Sequence, residues 1–170
     1  MPNLYLLPKI RKGFPLKSRP IMSANGSPTE KISKFVDHFL FEPSTHNKSY
    51  VKDTTHFLKI IRDTGNIPHN SILVTLDVTS LYTNIDINDG LQASKEALDI
   101  FRPQMNIHPS NESLIELLEL VLTKNYFQFN NEQYLQIKGC AMGSKVSPSL
   151  ANVTMGKFER NHVYTYHLKP

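Results

Sequence analysis

Asp77 stands near the end of an apolar run, Ile72 to Val78, rich in β-branched and large aliphatic side chains. Such a run reads as a buried strand, and alternate side chains on a strand share a face. Ile72, Val74, Leu76 and Val78 take one face. Leu73, Thr75 and Asp77 take the other, which turns polar towards its end. A carboxylate pushed out of an apolar strand can hold a hard cation over a sheet, since magnesium takes oxygen ligands and leaves positions for water and phosphate. The plainer reading is that Asp77 caps the turn that follows. A second feature is charge. Residues 1–34 carry Lys9, Arg11, Lys12, Lys17, Arg19, Lys31 and Lys34 against Glu30, a net of +6 in a chain of net +4. Cations clustered in this way point to a polyanionic partner; a solvated N-terminal arm explains the charge equally well. Third, Gly139 and Gly143 lie four apart ahead of Ser147-Pro148. On its own that spacing is weak evidence of a site.

The totals narrow the classes. The chain has 170 residues, enough for one domain with a real core. Hydrophobic residues make up 39% and charged residues 20%, as in ordinary soluble proteins. No apolar run approaches the ~20 residues of a membrane span, and Pro2, Pro8 and nearby cations interrupt any signal-peptide pattern. Cys140 is the only cysteine, so no intrachain disulfide is possible and a reducing compartment is expected. The histidines are scattered, with no zinc-site spacing.

Several elements must position these residues. Leu4 to Pro20 reads as two short extended pieces around a turn containing Gly13 and Pro15. Ser27-Pro28-Thr29-Glu30 reads as a helix start, with Ser27 capping and Glu30 reaching back. Ile32, Phe35, Val36, Phe39 and Leu40 then form a core stripe, and Pro43 ends the helix. A second helix is expected over Asp53 to Arg62, capped by Asp53, buried through Phe57, Leu58, Ile60 and Ile61, and stopped by Gly65. After the central strand, Asp86 and Asp89 suit a helix N-terminus better than a metal site. That helix buries Ile87, Leu91, Leu98 and Phe101. Pro103 to Pro109 is a loop, and Leu114, Leu117, Leu118 and Val121 form the stripe of a further helix. Tyr126 to Ile137 reads as a β-hairpin about Asn130-Asn131. Its rings are assigned to core packing; a base-stacking platform is the alternative and would need them exposed. Ser147-Pro148 opens the last helix, and Cys140 is a small buried residue.

Five stretches carry a family resemblance. Asp77 and Tyr82, five apart within Leu-Val-Thr-Leu-Asp-Val-Thr-Ser-Leu-Tyr-Thr-Asn-Ile, resemble motif A of reverse transcriptases, and the wording is closest to those of Penelope-like retroelements. Asn25 to Ser33 resembles a signature of the same family. Gln136 to Asn152 resembles its motif B, with Met142-Gly143 where many reverse transcriptases carry Gln-Gly. Arg19-Pro20-Ile21 is similar to the Arg-Pro-Ile fingers motif, and Lys9-Ile10-Arg11-Lys12 departs slightly from the family's Lys-Ile-His-Lys. The motifs run in family order over nearly the whole chain.

The resemblance implies an α+β fold, the fingers and part of the palm of a right-hand polymerase. Residues 1–69 and about 104–145 would be fingers, and about 70–103 and 146–170 palm. It implies RNA-directed DNA synthesis, in which a primer 3′-hydroxyl attacks the α-phosphate of a deoxynucleotide between two Mg2+ ions. Asp77 would be a ligand of both ions, with the Val78 carbonyl assisting one. Arg19, and Lys9 beside it, would hold the triphosphate through charge and, for Arg19, a planar fork; Lys9 reads equally as a surface lysine. Tyr82 would exclude the 2′-hydroxyl, and Met142 and Gly143 would border the nascent base pair. Lys17 and Arg19 would contact nucleic acid. The implied partners are an RNA template, a DNA primer and a dNTP, with no membrane and an intracellular, nuclear location. In the family a Leu-Lys-Pro such as Leu168-Lys169-Pro170 leads into the motif C strand with its paired aspartates. No such pair occurs in residues 1–170, so the expectation is a fragment that is inactive alone. The alternative is a non-catalytic, nucleic-acid-binding remnant of such an element. A structural α+β domain with no nucleic-acid role would require the ordered motifs to be coincidence.

Overall fold

A computed structural model describes residues 1–10, 14–15, 17–72, 74–103 and 108–165. Arg11, Lys12, Gly13, Leu73, part of the loop between Pro103 and Pro109, and the Leu168-Lys169-Pro170 segment lie outside the described residues. The fold is α+β. Strands β1 (Leu4–Pro8) and β2 (Ser18–Met22) form an antiparallel hairpin, with Leu7 opposite Arg19 and Tyr5 opposite Ile21. The helices are α1 (Glu30–Ser44), α2 (Thr54–Thr64), the single turn α3 (Leu81–Asn84), α4 (Ile87–Phe101), α5 (Asn111–Thr123) and α6 (Ser147–Phe158). Strands β3 (Tyr126–Phe129) and β4 (Glu132–Leu135) make a second antiparallel hairpin after α5. A π-helical turn, Glu159–Val163, continues α6.

The core lies where α1, α4, α5 and α6 meet. Val36 and Leu40 come from α1, Ala93, Ala97 and Leu98 from α4, Leu114, Leu118, Val121 and Leu122 from α5, and Leu150 and Val153 from α6. Small residues on α4 let α6 come close. A Cβ on Gly90 would stand 3.2 Å from Leu150 Cδ1. Asp86 caps α4 by accepting from the Asn88 and Asp89 N–H groups, and Ser110 caps α5 through the Ser113 N–H. Both caps satisfy donors that a helix cannot satisfy itself. The acids at 86 and 89 are thus accounted for by the helix N-terminus.

The start of α1 differs in detail from the expected box. Thr29 is the N-cap without a side-chain bond, and the Glu30 carboxylate accepts from the Gly26 N–H at 2.7 Å. A turn precedes it, with the Ser27 N–H donating to the Ala24 carbonyl and Gly26 at φ 73°, and the helix begins at Glu30, directly after its cap, rather than at Pro28. Pro43 falls in the last turn of α1. The buried face is also rotated: Ser33, Val36 and Leu40 are buried while Phe35 is exposed. On α4 the innermost positions are Ala93, Ser94, Ala97 and Leu98, and Phe101 lies at the rim.

Two larger expectations are corrected. Ile72 and residues 74–78 form no strand; they are exposed, and Leu76 is 93% accessible. A strand exists only where a neighbour takes its N–H and C=O groups, and no described segment pairs with this one. Apolar composition raises strand propensity but cannot supply the partner. Helix α2 does form, with Asp53 accepting from the His56 N–H and Gly65 at its end. None of its residues is buried, so Phe57, Leu58, Ile60 and Ile61 make an uncovered stripe.

The second hairpin turns at Asn130 (φ 50°) and Asn131 (φ 64°), the left-handed pair that matches strand twist. Phe127 stacks on Tyr134 with centroids 5.6 Å apart. Tyr126, Phe129 and Tyr134 are exposed, so core packing does not account for them. The Gln128 N–H donates to the Pro2 carbonyl at 2.8 Å and joins the two hairpins.

Candidate functional site

Three segments far apart in sequence converge at the end of β2. The Met22 N–H donates to the Met142 carbonyl (3.1 Å), and the Cys140 N–H to the Tyr82 carbonyl (2.7 Å). Both contacts depend on glycine. Gly139 has φ 73°, and a Cβ there would lie 2.6 Å from Thr83 Cα. Gly143 has φ 135°, and a Cβ would overlap the Met22 carbonyl. Any L side chain at either place is strained by its own backbone and also collides. The two glycines therefore let the 139–143 turn lie flat against α3 on one side and β2 on the other.

The turn is pinned from below by side chains. Ser33 of α1 bonds Ser144 Oγ at 2.8 Å and accepts from the buried Val146 N–H at 3.0 Å. Ser147 Oγ donates to the Ala141 carbonyl at 2.7 Å, and Ser149 Oγ to Asp37 at 2.6 Å. Val146, not Ser147, is the N-cap of α6; the Ser147 hydroxyl is committed to the turn instead.

Above the turn lies a cavity of about 350 Å3 lined by Ile21, Tyr82, Met142, Gly143, Ser144, Ser147 and Pro148. Tyr82, Met142 and Gly143 of the expected nucleotide site are thus brought together. Ser144, Ser147, Pro148 and Ile21 join them. The serines could have been read from their spacing after Gly143, but Ile21 depends on how the hairpin docks.

Lys17, Arg19 and Ile21 alternate along the strand, so they share a face. Ile21 reaches the cavity, and Arg19, exposed, extends that face away from it. Lys9 joins at the far end, where its N–H donates to the Lys17 carbonyl at 2.7 Å. Burial holds the Tyr82 hydroxyl above its ordinary pKa, with neighbouring Cys140 adding to the effect. Burial also pushes the Cys140 thiol up to about 11.

Asp77 is placed differently from the expectation. It is exposed, follows no strand, does not line the cavity, and makes no hydrogen bond or ion pair with a described residue. Val78 beside it is also exposed. The chain turns between them and Tyr82, with Ser80 left-handed (φ 52°) and Asn84 Nδ2 donating to the Thr79 carbonyl at 3.0 Å. The donor set does not fit a magnesium pair. No group of three His, Cys, Asp or Glu among the described residues could hold a metal ion, and none of the other positions is acidic.

No helix among the described residues is long and apolar enough to cross a membrane. The chain matches no protein-family model, no curated protein and no solved structure.

Proposed function

We propose that this chain forms the nucleotide-facing wall of a reverse-transcriptase-like polymerase of the Penelope-like kind, joining fingers (1–69 and about 104–145) to part of a palm (about 70–103 and 146–170). One observation carries the reading. Residues assigned to the nucleotide from sequence alone, Tyr82, Met142 and Gly143, line a single cavity, and the strand bearing Arg19 forms its edge.

Each residue then has a task its chemistry suits. Arg19 grips phosphate oxygens through a fork that never loses its charge, with Lys9 further along the same face. Gly143 exposes backbone where a base pair must approach closely. The Tyr82 ring, held by the Cys140 N–H bond to its carbonyl, stands against the sugar and excludes a 2′-hydroxyl. Lys17 and Arg19 meet the backbone of a template or primer. Exposed Tyr126 and Tyr134 on the adjoining hairpin offer faces on which bases can stack. Nuclear location belongs to the same reading.

Nucleotidyl transfer through two magnesium ions needs carboxylates beyond Asp77, and among the described residues no group of three His, Cys, Asp or Glu could hold a metal ion. No catalytic step is therefore assigned to this chain by itself. The isolation of Asp77 is also what favours the second reading, a non-catalytic nucleic-acid-binding remnant.

The test is nucleotide binding. A fluorescent dNTP titrated into the purified chain is expected to bind, and Arg19→Ala to weaken it about tenfold, the effect of losing a charge-assisted contact. Tyr82→Ala is expected to narrow the preference for dNTP over rNTP. Nucleic-acid binding without any dNTP binding selects the remnant. Binding unaffected by both substitutions removes the cavity from the argument.

A further inference from the structure

A second cavity lies between the end of α1 and the start of α2, and it shares no lining residue with the one above the glycine turn. Its volume is about 580 Å3, within the roughly 300–1,000 Å3 of small-molecule sites. Three rings line it: Phe41 of α1, Tyr50 of the connecting loop and His56 of α2. Lys52 and Lys59 line it too, against one carboxylate, Asp53. That carboxylate is engaged as the N-cap of α2, where it accepts from the His56 N–H at 2.8 Å. The Lys52 N–H donates to His56 Nδ1 at 3.1 Å, so the neutral ring carries its proton on Nε2 and keeps a donor there.

The walls are set before any ligand arrives, which lowers the cost of binding. Asn47 Nδ2 donates to the Asn152 carbonyl of α6 at 2.6 Å, and Ser49 Oγ to Glu159 at 2.6 Å. The Tyr50 N–H donates to the Asn47 carbonyl at 2.9 Å, which ties Tyr50 to that anchor. On α2, helical spacing puts Thr55 and Lys59 across the helix from the apolar stripe of Phe57, Leu58, Ile60 and Ile61, with His56 beside them. A surface that covers the stripe therefore leaves this cavity open.

We propose that this cavity binds a nucleotide unit, an aromatic base with its phosphate, at a site separate from the cavity beside Tyr82. The rings give a base faces to stack on, and every base has a face that can use them. The ammonium groups of Lys52 and Lys59, with the His56 Nε2–H, suit phosphate oxygens. An acidic peptide would satisfy the lysines but leave the rings without a planar partner. The unit has two sources, a free nucleoside monophosphate or an unpaired nucleotide in a strand, and both present the same chemistry. The inference goes beyond the polymerase reading and stands without it.

The probe is 2-aminopurine, whose fluorescence falls when it stacks on an aromatic ring. It is titrated with the full chain as the nucleoside, as the nucleoside monophosphate, and as one unpaired residue of a short single strand. The monophosphate is expected to be quenched and to bind about tenfold more tightly than the nucleoside, the effect of a charge-assisted phosphate contact. Lys59→Glu is expected to weaken the monophosphate about tenfold and to leave the nucleoside unchanged. Tyr50→Leu is expected to remove most of the quenching. Arg19→Ala and Tyr82→Ala, at the other cavity, are expected to change neither, whatever they do to dNTP binding. Lys59 is exposed, so its variant should keep the parent's helical circular dichroism. Tighter binding of the strand than of the monophosphate assigns the site to a strand, and equal binding assigns it to a free nucleotide; both uphold the proposal. No quenching of any form overturns it. So does equal binding of nucleoside and monophosphate, quenching that Lys59→Glu and Tyr50→Leu leave unchanged, or quenching that Arg19→Ala or Tyr82→Ala abolishes.

Discussion

Gly143 and Cys140 show how single residues set up the cavity. Gly143 adopts φ 135° with the Met22 carbonyl filling the space a Cβ would need. Gly143→Ala should therefore cost about 1–3 kcal/mol or more from backbone strain and displacement of β2. Urea unfolding would measure the loss, and dNTP binding should fall with it; an unchanged midpoint would mean the turn does not press on β2. Cys140 is buried, its thiol pushed up to about 11 against an ordinary 9.0. The neutral thiol is favoured in the folded state, so its contribution to stability is complete below pH 9 and is lost as pH rises from 9 to 11. Removing the thiol with Cys140→Ala should flatten that part of the pH–stability curve. A native thiol that reacts with a disulfide reagent at pH 8 as fast as the unfolded chain would contradict the burial.

Among the elements, α1 does more than fill the core. Its Ser33 side chain bonds both Ser144 Oγ and the buried Val146 N–H, and so ties the floor of the cavity to the helix cluster. Ser33→Ala leaves that N–H without a partner, a cost of about 1–3 kcal/mol. The expected signature is a lowered urea midpoint with an unchanged slope. Ser33→Thr, which keeps a hydroxyl, should recover part of the loss unless the added methyl clashes. The serine was invisible as a functional position in the sequence because it interrupts an apolar stripe. Only the approach of the 144–147 turn gives it a role.

The charge of the whole molecule is lopsided, and its consequence is measurable. Of the cations behind the +6 over residues 1–34, Lys9, Lys17 and Arg19 sit at the β1–β2 hairpin, whose Ile21 lines the cavity, and Lys31 and Lys34 on α1. Binding to a primer–template should weaken steeply with added salt, because each neutralised phosphate releases counterions. Reversing Lys17 and Arg19 to Glu should reduce both affinity and salt slope. A flat salt response would assign the cations to a solvated arm. The chain alone should not extend a primer in the presence of magnesium and dNTPs, since two ions need several carboxylates and no group of three His, Cys, Asp or Glu among the described residues could hold a metal ion. Extension that disappears on Asp77→Ala would show that the carboxylates can assemble after all.

Local physics determined much of this protein in advance. The cap at Asp53, the helix N-terminus at Asp86, the Asn130-Asn131 turn, the stripe of α5 and the two short extended pieces at the N-terminus depend on neighbours within a few residues, and the structure forms them. Tyr82, Met142 and Gly143 were legible as a set because their residue types and order match a known pattern. Tertiary contact decided the rest. Ile72 to Val78 has strand composition but lacks a partner, so it stays extended and exposed, and Asp77 with it. Helix α2 has an amphipathic stripe but nothing described covers it. Ile21 enters the cavity because Gly143 lets Met142 bond β2. Capping and turns are satisfied within a few residues of chain, whereas pairing, burial and cavity walls need a second surface, and the sequence does not say which surface arrives.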